Sequence, residues 1–276
     1  MIFRFREVYP IERLCELMGV SRSGYYKWLN RQKSPDKDSG TAALIQECHA
    51  KTRKTYGYRR VKIWLLRETG LIINHKAVLR IMRKYDMLAY RRKKRFRKYE
   101  LDTFHRYDNL LDRDFTADRP NQKWATDISH IATSQGILYL SVIKDMYDGS
   151  IVAYNYATDQ TTRLVLFTVR EAMKKSEITG SVQLHSDQGC QYTSIAYNRL
   201  TLSCGIEPSM SRRGDPYDNA SVENFFGMLK TECIYRVKLK TIDEAKELID
   251  DYMYFYNYER IQLKSGMTPM EKRFLI

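Results

Sequence analysis

Residues 122–157 read QKWATDISHIATSQGILYLSVIKDMYDGSIVAYNYA, and the patterning of this stretch decides the fold class. Three β-rich runs, 122–133, 137–147 and 150–157, are separated by turn signals at Gln135-Gly136 and Asp148-Gly149. Sequential strands joined by short turns predict an antiparallel meander. One residue fits it badly. Asp127 stands in mid-strand among apolar and small neighbours, where a carboxylate is costly to bury unless an ionic or hydrogen-bonding group meets it.

Downstream, the pattern predicts a helix over Thr162–Lys175, a short strand over 181–187 (SVQLHSD) ending in Asp187, and a helix over Ser194–Cys204. The segment 214-GDPYDNASVENFFGMLKTE-232 sorts cleanly as a helix. Val222, Phe225, Phe226, Leu229 and Cys233 share one face, with Asn219, Glu223 and Lys230 at the border of the polar side. Thr241 and Glu244 form a capping box that opens a helix running to about Tyr258, and Thr268 with Glu271 forms a second one for a short terminal helix. A meander, a helix, a fourth strand and further helices is the element order of an α/β, RNase H-like core with a mixed sheet and flanking helices. Asp145, Asp148 and Asp159 read as turn or surface acids.

Upstream the texture is helical. Residues 10–31 read as helix, turn, helix: Leu14, Leu17 and Met18 form the first apolar face, Gly19 stops that helix, and Ser21 caps the second. Tyr25, Trp28 and Leu29 would be its buried side, leaving Arg22, Ser23 and Lys27 outward. This spacing suits a DNA-binding helix-turn-helix, somewhat ahead of a plain helical hairpin. After a polar linker, 34–40, a second unit follows, with helices over Ala42–Thr52, 56–68 and 75–85, the last capped by Asn74. Lys76 and Arg80 would face outward there, and Arg59 and Arg60 are further candidates for DNA contact. The run 91-RRKKRFRK-98 cannot bury itself, so Arg91, Arg92, Lys93, Lys94 and Arg95 are expected to track phosphates. The expected divisions are 1–35, 36–110 and 111–276.

Charge supports this division. The chain of 276 residues carries a net charge of +14, yet residues 1–100 hold 26 Lys and Arg against 9 Asp and Glu, and the rest holds 21 against 24. A polyanion engaged by the first third, double-stranded DNA above all, follows from the release of counterions at each phosphate contact. No apolar run is long enough to span a bilayer, and Arg4 and Arg6 interrupt any signal-peptide core, so no membrane partner and a cytoplasmic, nucleoid-associated location are expected. Five scattered cysteines without a C-x-x-C pair suit reduced thiols, and five histidines without an H-x₃₋₅-H pair give a zinc site little support.

Asp127 and Asp187 on strands and Glu223 on a helix can converge on one point. A ligand set of oxygens favours Mg²⁺ or Mn²⁺, and two such ions suit in-line phosphoryl transfer on a phosphodiester. The motifs W-x-T-D at 124–127, H-S-D-Q-G at 185–189 and D-N-A-x-x-E-N-F-F at 218–226, followed by Lys230, resemble the signature of DDE transposases. With GVSRSGYYKW at 19–28, YGYRR at 56–60 and YNYERIQLKSGMTPMEKR at 256–273, the chain is most similar to the OrfB-type transposases of insertion-sequence family three, relatives of retroviral integrases. That resemblance implies that Asp127, Asp187 and Glu223 are catalytic and bind two Mg²⁺ ions, for which Mn²⁺ substitutes. It implies cleavage at element ends and strand transfer by a DNA 3′-hydroxyl, with Lys230 holding DNA, Trp124 packed under the first strand and Asn219 beside Glu223. It also implies a homo-oligomer on DNA, and an upstream-frame product, fused or separate, that supplies a further helix-turn-helix and a coiled coil. Two alternatives stand beside it: a DNA-binding regulator without chemistry, and a nuclease of the same fold.

Overall fold

The meander forms because two short connections, at 134–135 and 146–150, reverse three successive β-rich runs. In the computed structural model, β1 (Lys123–Thr133) pairs antiparallel with β2 (Gly136–Asp145), from Trp124↔Asp145 to Thr133↔Gly136. β2 pairs in turn with β3 (Ile151–Ala157), with a register shift at Ile143/Lys144. The structure describes residues 1–33, 36–89, 107–112, 114–212 and 218–275. The expectations for Arg91, Arg92, Lys93, Lys94 and Arg95 lie outside the described residues.

β4 (Val182–Ser186) lies parallel to the other edge of β1, and β5 (Ile206–Met210) lies parallel to β4, giving the order β3-β2-β1-β4-β5. β5 has no counterpart in the sequence reading. It is only five residues long, IEPSM, and includes a proline, which an edge strand tolerates because one row of its N–H groups has no partner.

One face of the sheet carries α7 (Thr162–Lys175) and α8 (Ile195–Ser203), packed on Trp124, Ile143 and Leu184. Ser194 caps α8, accepting from the Tyr197 N–H. The opposite face carries α9 (Ala220–Glu232) and α10 (Ile242–Tyr254). The predicted stripe of α9 is the buried one: Val222, Phe225 and Leu229 have no exposed surface. Fully burying one such side chain contributes about 1.5–3 kcal/mol. Both capping boxes form, on α10 and on α11 (Pro269–Arg273). The long helix expected to reach Tyr258 instead leaves α-geometry after Tyr254 and continues as a π-helical turn over Phe255–Glu259.

The helices α4 (Ser39–Lys51), α5 (Tyr58–Thr69) and α6 (His75–Lys84) belong to the same hydrophobic cluster as α9, so the boundary at 110 is one of sequence and not of packing. Asn74 caps α6 as expected, and Gly70 ends α5 in the left-handed conformation at φ 70°. Tyr56 ties the unit to the chain's end. Its hydroxyl donates to the Glu259 carbonyl at 3.0 Å and accepts from the Ile261 N–H at 2.7 Å.

α1 (Ile2–Phe5), α2 (Ile11–Leu17) and α3 (Arg22–Lys33) form a separate, small core of Ile2, Cys15 and Tyr25, with Ile11 and Leu14 against it. Here the predicted burial needs correction. Leu17 is 82% exposed, and Met18 and Trp28 also face outward. α2 has only seven residues, so it presents one short stripe, and Cys15 rather than Leu17 lies on it. The acids Asp145 and Asp148 are a second correction. Both are buried and bonded to Arg273 of α11, at 3.0 and 2.8 Å. Among the described residues no helix is long and apolar enough to cross a membrane.

Candidate active site

β1 and β4 bring two carboxylates level. Their last bonded pair is Ala125↔His185, so two residues further on Asp127 stands beside Asp187, the first residue past the end of β4. Neighbouring strands lie about 4.8 Å apart, and residues two apart share a face, here the one that α9 covers. Each aspartate is fixed locally. Asp127 Oδ1 accepts the Ile128 N–H at 2.7 Å, and Asp187 Oδ1 accepts the Gly189 N–H at 2.9 Å. The second bond explains the D-Q-G sequence, since a Cβ on Gly189 would come within 2.9 Å of that same oxygen.

α9 brings the third. Its N-terminus is fixed by buried Asp218, whose Oδ2 accepts from Asn109 Nδ2 and from the Arg212 N–H, both at 2.8 Å. Asn219, the N-cap residue, makes no side-chain cap; its Nδ2 reaches across to the Thr126 carbonyl at 3.4 Å, next to Asp127. With Val222, Phe225 and Phe226 turned into the core, Glu223 is left on the exposed side of the helix.

Asp187, Glu223 and Lys230 all bear on the charge of Asp127. The Asp127 carboxyl is held well above the usual carboxylate range, first by burial, then by the Asp187 charge and also by Glu223. The Ile128 N–H and Lys230 pull the other way. Asp187 is raised by burial against its bond to Gly189. Glu223 is felt at Asp127 less strongly than Asp187, and among the described residues no three acidic, histidine or cysteine side chains close into a metal cage. The carboxylate pair nonetheless fits a hard divalent cation, because its donors are all oxygen and its mutual repulsion is what such an ion relieves. His185 is not a competing ligand. It is fully buried, with Nδ1 2.8 Å from Ser209 Oγ and Nε2 3.1 Å from Ser211 Oγ. Trp124, one register step from Ala125, is fully buried on the opposite face.

The residues expected to touch DNA divide. Lys27, Arg59 and Lys76 are exposed, as is Ser23, whose hydroxyl lies 3.4 Å from that of Ser21. Arg22 is also exposed and reaches Glu12 at 3.0 Å, a surface pair of little strength. Arg80 is exposed but held in a fork by Asp38, at 2.6 and 2.7 Å. Arg60 requires correction: its Nε donates to the Ile261 carbonyl at 3.0 Å, and burial lowers its pKa, so it fastens α5 to the chain's end. Sequence reasoning missed Lys144, a lysine buried within β2, although the argument that singled out Asp127 applies equally to it.

The integrase core domain family matches residues 117–216, a second integrase core domain family matches 223–274, and the HTH-like domain family matches 35–95. The chain is 39% identical to the putative transposase InsK for insertion sequence element IS150 of Escherichia coli K12, over 97% of this chain and 95% of that one. It is 31% identical to the E. coli transposase InsF for insertion sequence IS3A, over 95% and 93%. A chain in the structure of the simian T-cell lymphotropic virus intasome in complex with PP2A regulatory subunit B56 gamma superposes with a TM-score of 0.51 at 17% identity. That alignment covers 84% of this chain and 75% of the other, and it shows a shared fold.

Proposed function

Because this chain belongs to the insertion-sequence-three family of transposases, DDE polynucleotidyl transferases with an integrase core, we propose that Asp127, Asp187 and Glu223 carry out Mg²⁺-dependent cleavage at the element's ends and transfer of the freed 3′ end to target DNA. The observation that supports this most is the level pairing of Asp127 and Asp187 on adjacent parallel strands, with Glu223 and Lys230 acting on the same carboxyl group. The three carboxylates would hold two Mg²⁺ ions, which Mn²⁺ replaces. When bound, such ions supply positive charge to the attacking and leaving oxygens of an in-line displacement.

The remaining roles fall to the chain's own groups. Asp127 is fixed in a strand bonded on both edges, so its carboxylate moves little as DNA binds. Lys230, on the same helix as Glu223, holds a phosphate near the reacting one. Lys27, Arg59 and Lys76, with Arg22, Ser23 and Arg80, position the double-stranded element ends through backbone contacts. Lys76 and Arg59 do so from helices that share a hydrophobic cluster with α9. The working form on DNA is a homo-oligomer, joined by the upstream-frame product or fused to it.

A labelled oligonucleotide carrying an element end tests the reading by separating hydrolysis from joining. The unaltered protein is expected to give both products with Mg²⁺ or Mn²⁺, and Glu223→Gln neither, with DNA affinity nearly unchanged. Hydrolysis without joining would make the protein a nuclease. DNA binding indifferent to Mg²⁺, with no nicked product from the unaltered protein, would make it a regulator.

A further inference from the structure

Beside the carboxylates, on the same face of the sheet, lies a cavity of about 380 Å³ between the β2–β3 turn, the start of α9 and the segment before α11. Lys144 forms its floor. Lys144 pairs with Ala125 in β2, and Ala125 precedes Asp127 by two residues, so the cavity is about 7 Å along the strand from the candidate metal site. Nothing so far accounts for its charge.

Lys144 is only 9% exposed, and its ammonium group donates to the Ser221 carbonyl at 3.0 Å and lies 3.3 Å from Ser221 Oγ. Both partners are neutral. Ser221 is the second residue of α9, a helix of 13 residues whose N-terminus itself carries partial positive charge. A buried cation set against the positive end of a helix is an arrangement that an anion completes. Two more lysines line the space. Lys272 donates to the Tyr147 carbonyl and lies over the Tyr147 ring, and Lys264 is exposed with no ion pair or hydrogen bond to a described residue. The lining acids do not offset them. Asp145 and Asp148 turn their oxygens to Arg273 and to the backbone N–H groups of Asn121, Tyr147 and Ser150. Three lysines and Arg273 against two carboxylates leave two positive charges in excess.

We propose that this cavity is a backbone-phosphate subsite for DNA, in which Lys144, Lys264 and Ser221 receive a phosphodiester next to the one that reacts. The proposal rests on the DNA-processing reading above. The subsite holds the strand at a second point about 7 Å from Asp127, and a flexible substrate fixed at two points has little freedom to leave the in-line geometry. The C-terminal segment thereby acquires a role in substrate binding, since Lys264 and Lys272 come from it and Lys144 comes from the central sheet.

The test is the salt dependence of duplex DNA binding by the full chain in a Glu223→Gln background, where no turnover disturbs the equilibrium. Adding Lys264→Gln is expected to reduce the slope of log K against log[salt] by about 1, so the loss of affinity between roughly 50 and 200 mM salt shrinks about fourfold. Lys264→Glu should weaken binding further. Lys174→Gln, an exposed lysine of α7 on the far face of the sheet, serves as the control and should leave slope and affinity unchanged. An unchanged slope in Lys264→Gln, with clear DNA binding by the parent, overturns the subsite and leaves the functional reading intact. Failure of the parent to bind DNA at all overturns both.

Discussion

Asp127 and Lys144 are two register steps apart in the sheet and share one difficulty, a charge placed where the fold alone does not want it. For Asp127, burial and the neighbouring Asp187 disfavour the ionised form, so the ionised pair opposes folding at neutral pH and a divalent cation offsets that opposition. Asp127→Asn should therefore raise the melting midpoint of the metal-free protein by about 2–4 °C, the shift ~1 kcal/mol produces in a chain of this size. The same variant should lose the stabilisation that Mg²⁺ or Mn²⁺ gives the parent, about 1.4 kcal/mol at ten times the dissociation constant. Thermal melts with and without metal check both; equal metal-induced shifts in parent and variant would exclude Asp127 as a ligand. For Lys144, burial lowers the pKa from 10.5 to about 8, with Arg260 adding to the shift. Below pH 8 the folded and unfolded chains both hold the proton and the penalty is constant. From pH 8 towards 10.5 the unfolded chain holds more protons, so this group makes stability rise with pH, by up to about 3 kcal/mol. Lys144→Met should be more stable than the parent at pH 7, should lack that rise in denaturant titrations at stepped pH, and should bind DNA more weakly.

α9 depends on both of its ends to aim Glu223. At its start Asp218 gathers Asn109 and the Arg212 backbone; at its finish Glu232 takes a forked pair from Arg260, at 2.6 and 2.8 Å, and the Tyr252 hydroxyl at 2.8 Å. The Arg260 side chain is 3% exposed and that of Glu232 12%, so the pair is effectively interior. Replacing a whole buried pair by apolar residues is often neutral, whereas removing one partner leaves an uncompensated charge. Arg260→Met should cost about 3–5 kcal/mol in denaturant unfolding, and Arg260→Met with Glu232→Leu should recover most of it. Equal losses in the single and double variants would mean that the pair itself does not hold the helix. The apolar stripe of α9 was legible because its signal is local: a period repeated within 13 residues. The anchors were not, because Glu232 meets a partner 28 positions away and Asp145 one 128 positions away, and neither distance leaves a periodic trace. β5 escaped for the opposite reason, since a five-residue edge strand with a proline carries almost no pattern of its own. Leu17 and Trp28 fit the inward side of their helices by period, yet the shared core of Ile2, Cys15 and Tyr25 is too small to cover them.

Across the whole molecule, the basic first third is not one appendage but two differently attached parts. α1–α3 close on their own core, whereas α4–α6 contribute Ile45, Val61, Leu65, Val78 and Met82 to the cluster that also holds Phe225 and Tyr256. Polar contacts reinforce the second attachment: Tyr56 and Arg60 bond the backbone at Glu259 and Ile261, and Arg67 grips Glu271 of α11. A DNA contact made by Lys76 or Arg59 is thus held by the same hydrophobic cluster that holds α9, while a contact made by Lys27 rests on the separate core of α1–α3. Truncation separates the two cases. A chain beginning at Asp36 should keep a single cooperative melt within a few degrees of the parent, because it loses no member of the shared cluster. A chain beginning at Tyr107 strips the shared cluster of its members on α4–α6 and leaves the backbone at Glu259 and Ile261 without Tyr56. Burial of the five aliphatic and methionine side chains named above is worth about 1.5–3 kcal/mol each, of the order of a whole domain's net stability of ~5–15 kcal/mol. That shorter chain should therefore be unfolded or aggregated. Its recovery as a soluble, cooperatively melting protein would show that the sheet and α9 stand without the helical unit, and Lys76 and Arg59 would then have no fixed relation to the carboxylates.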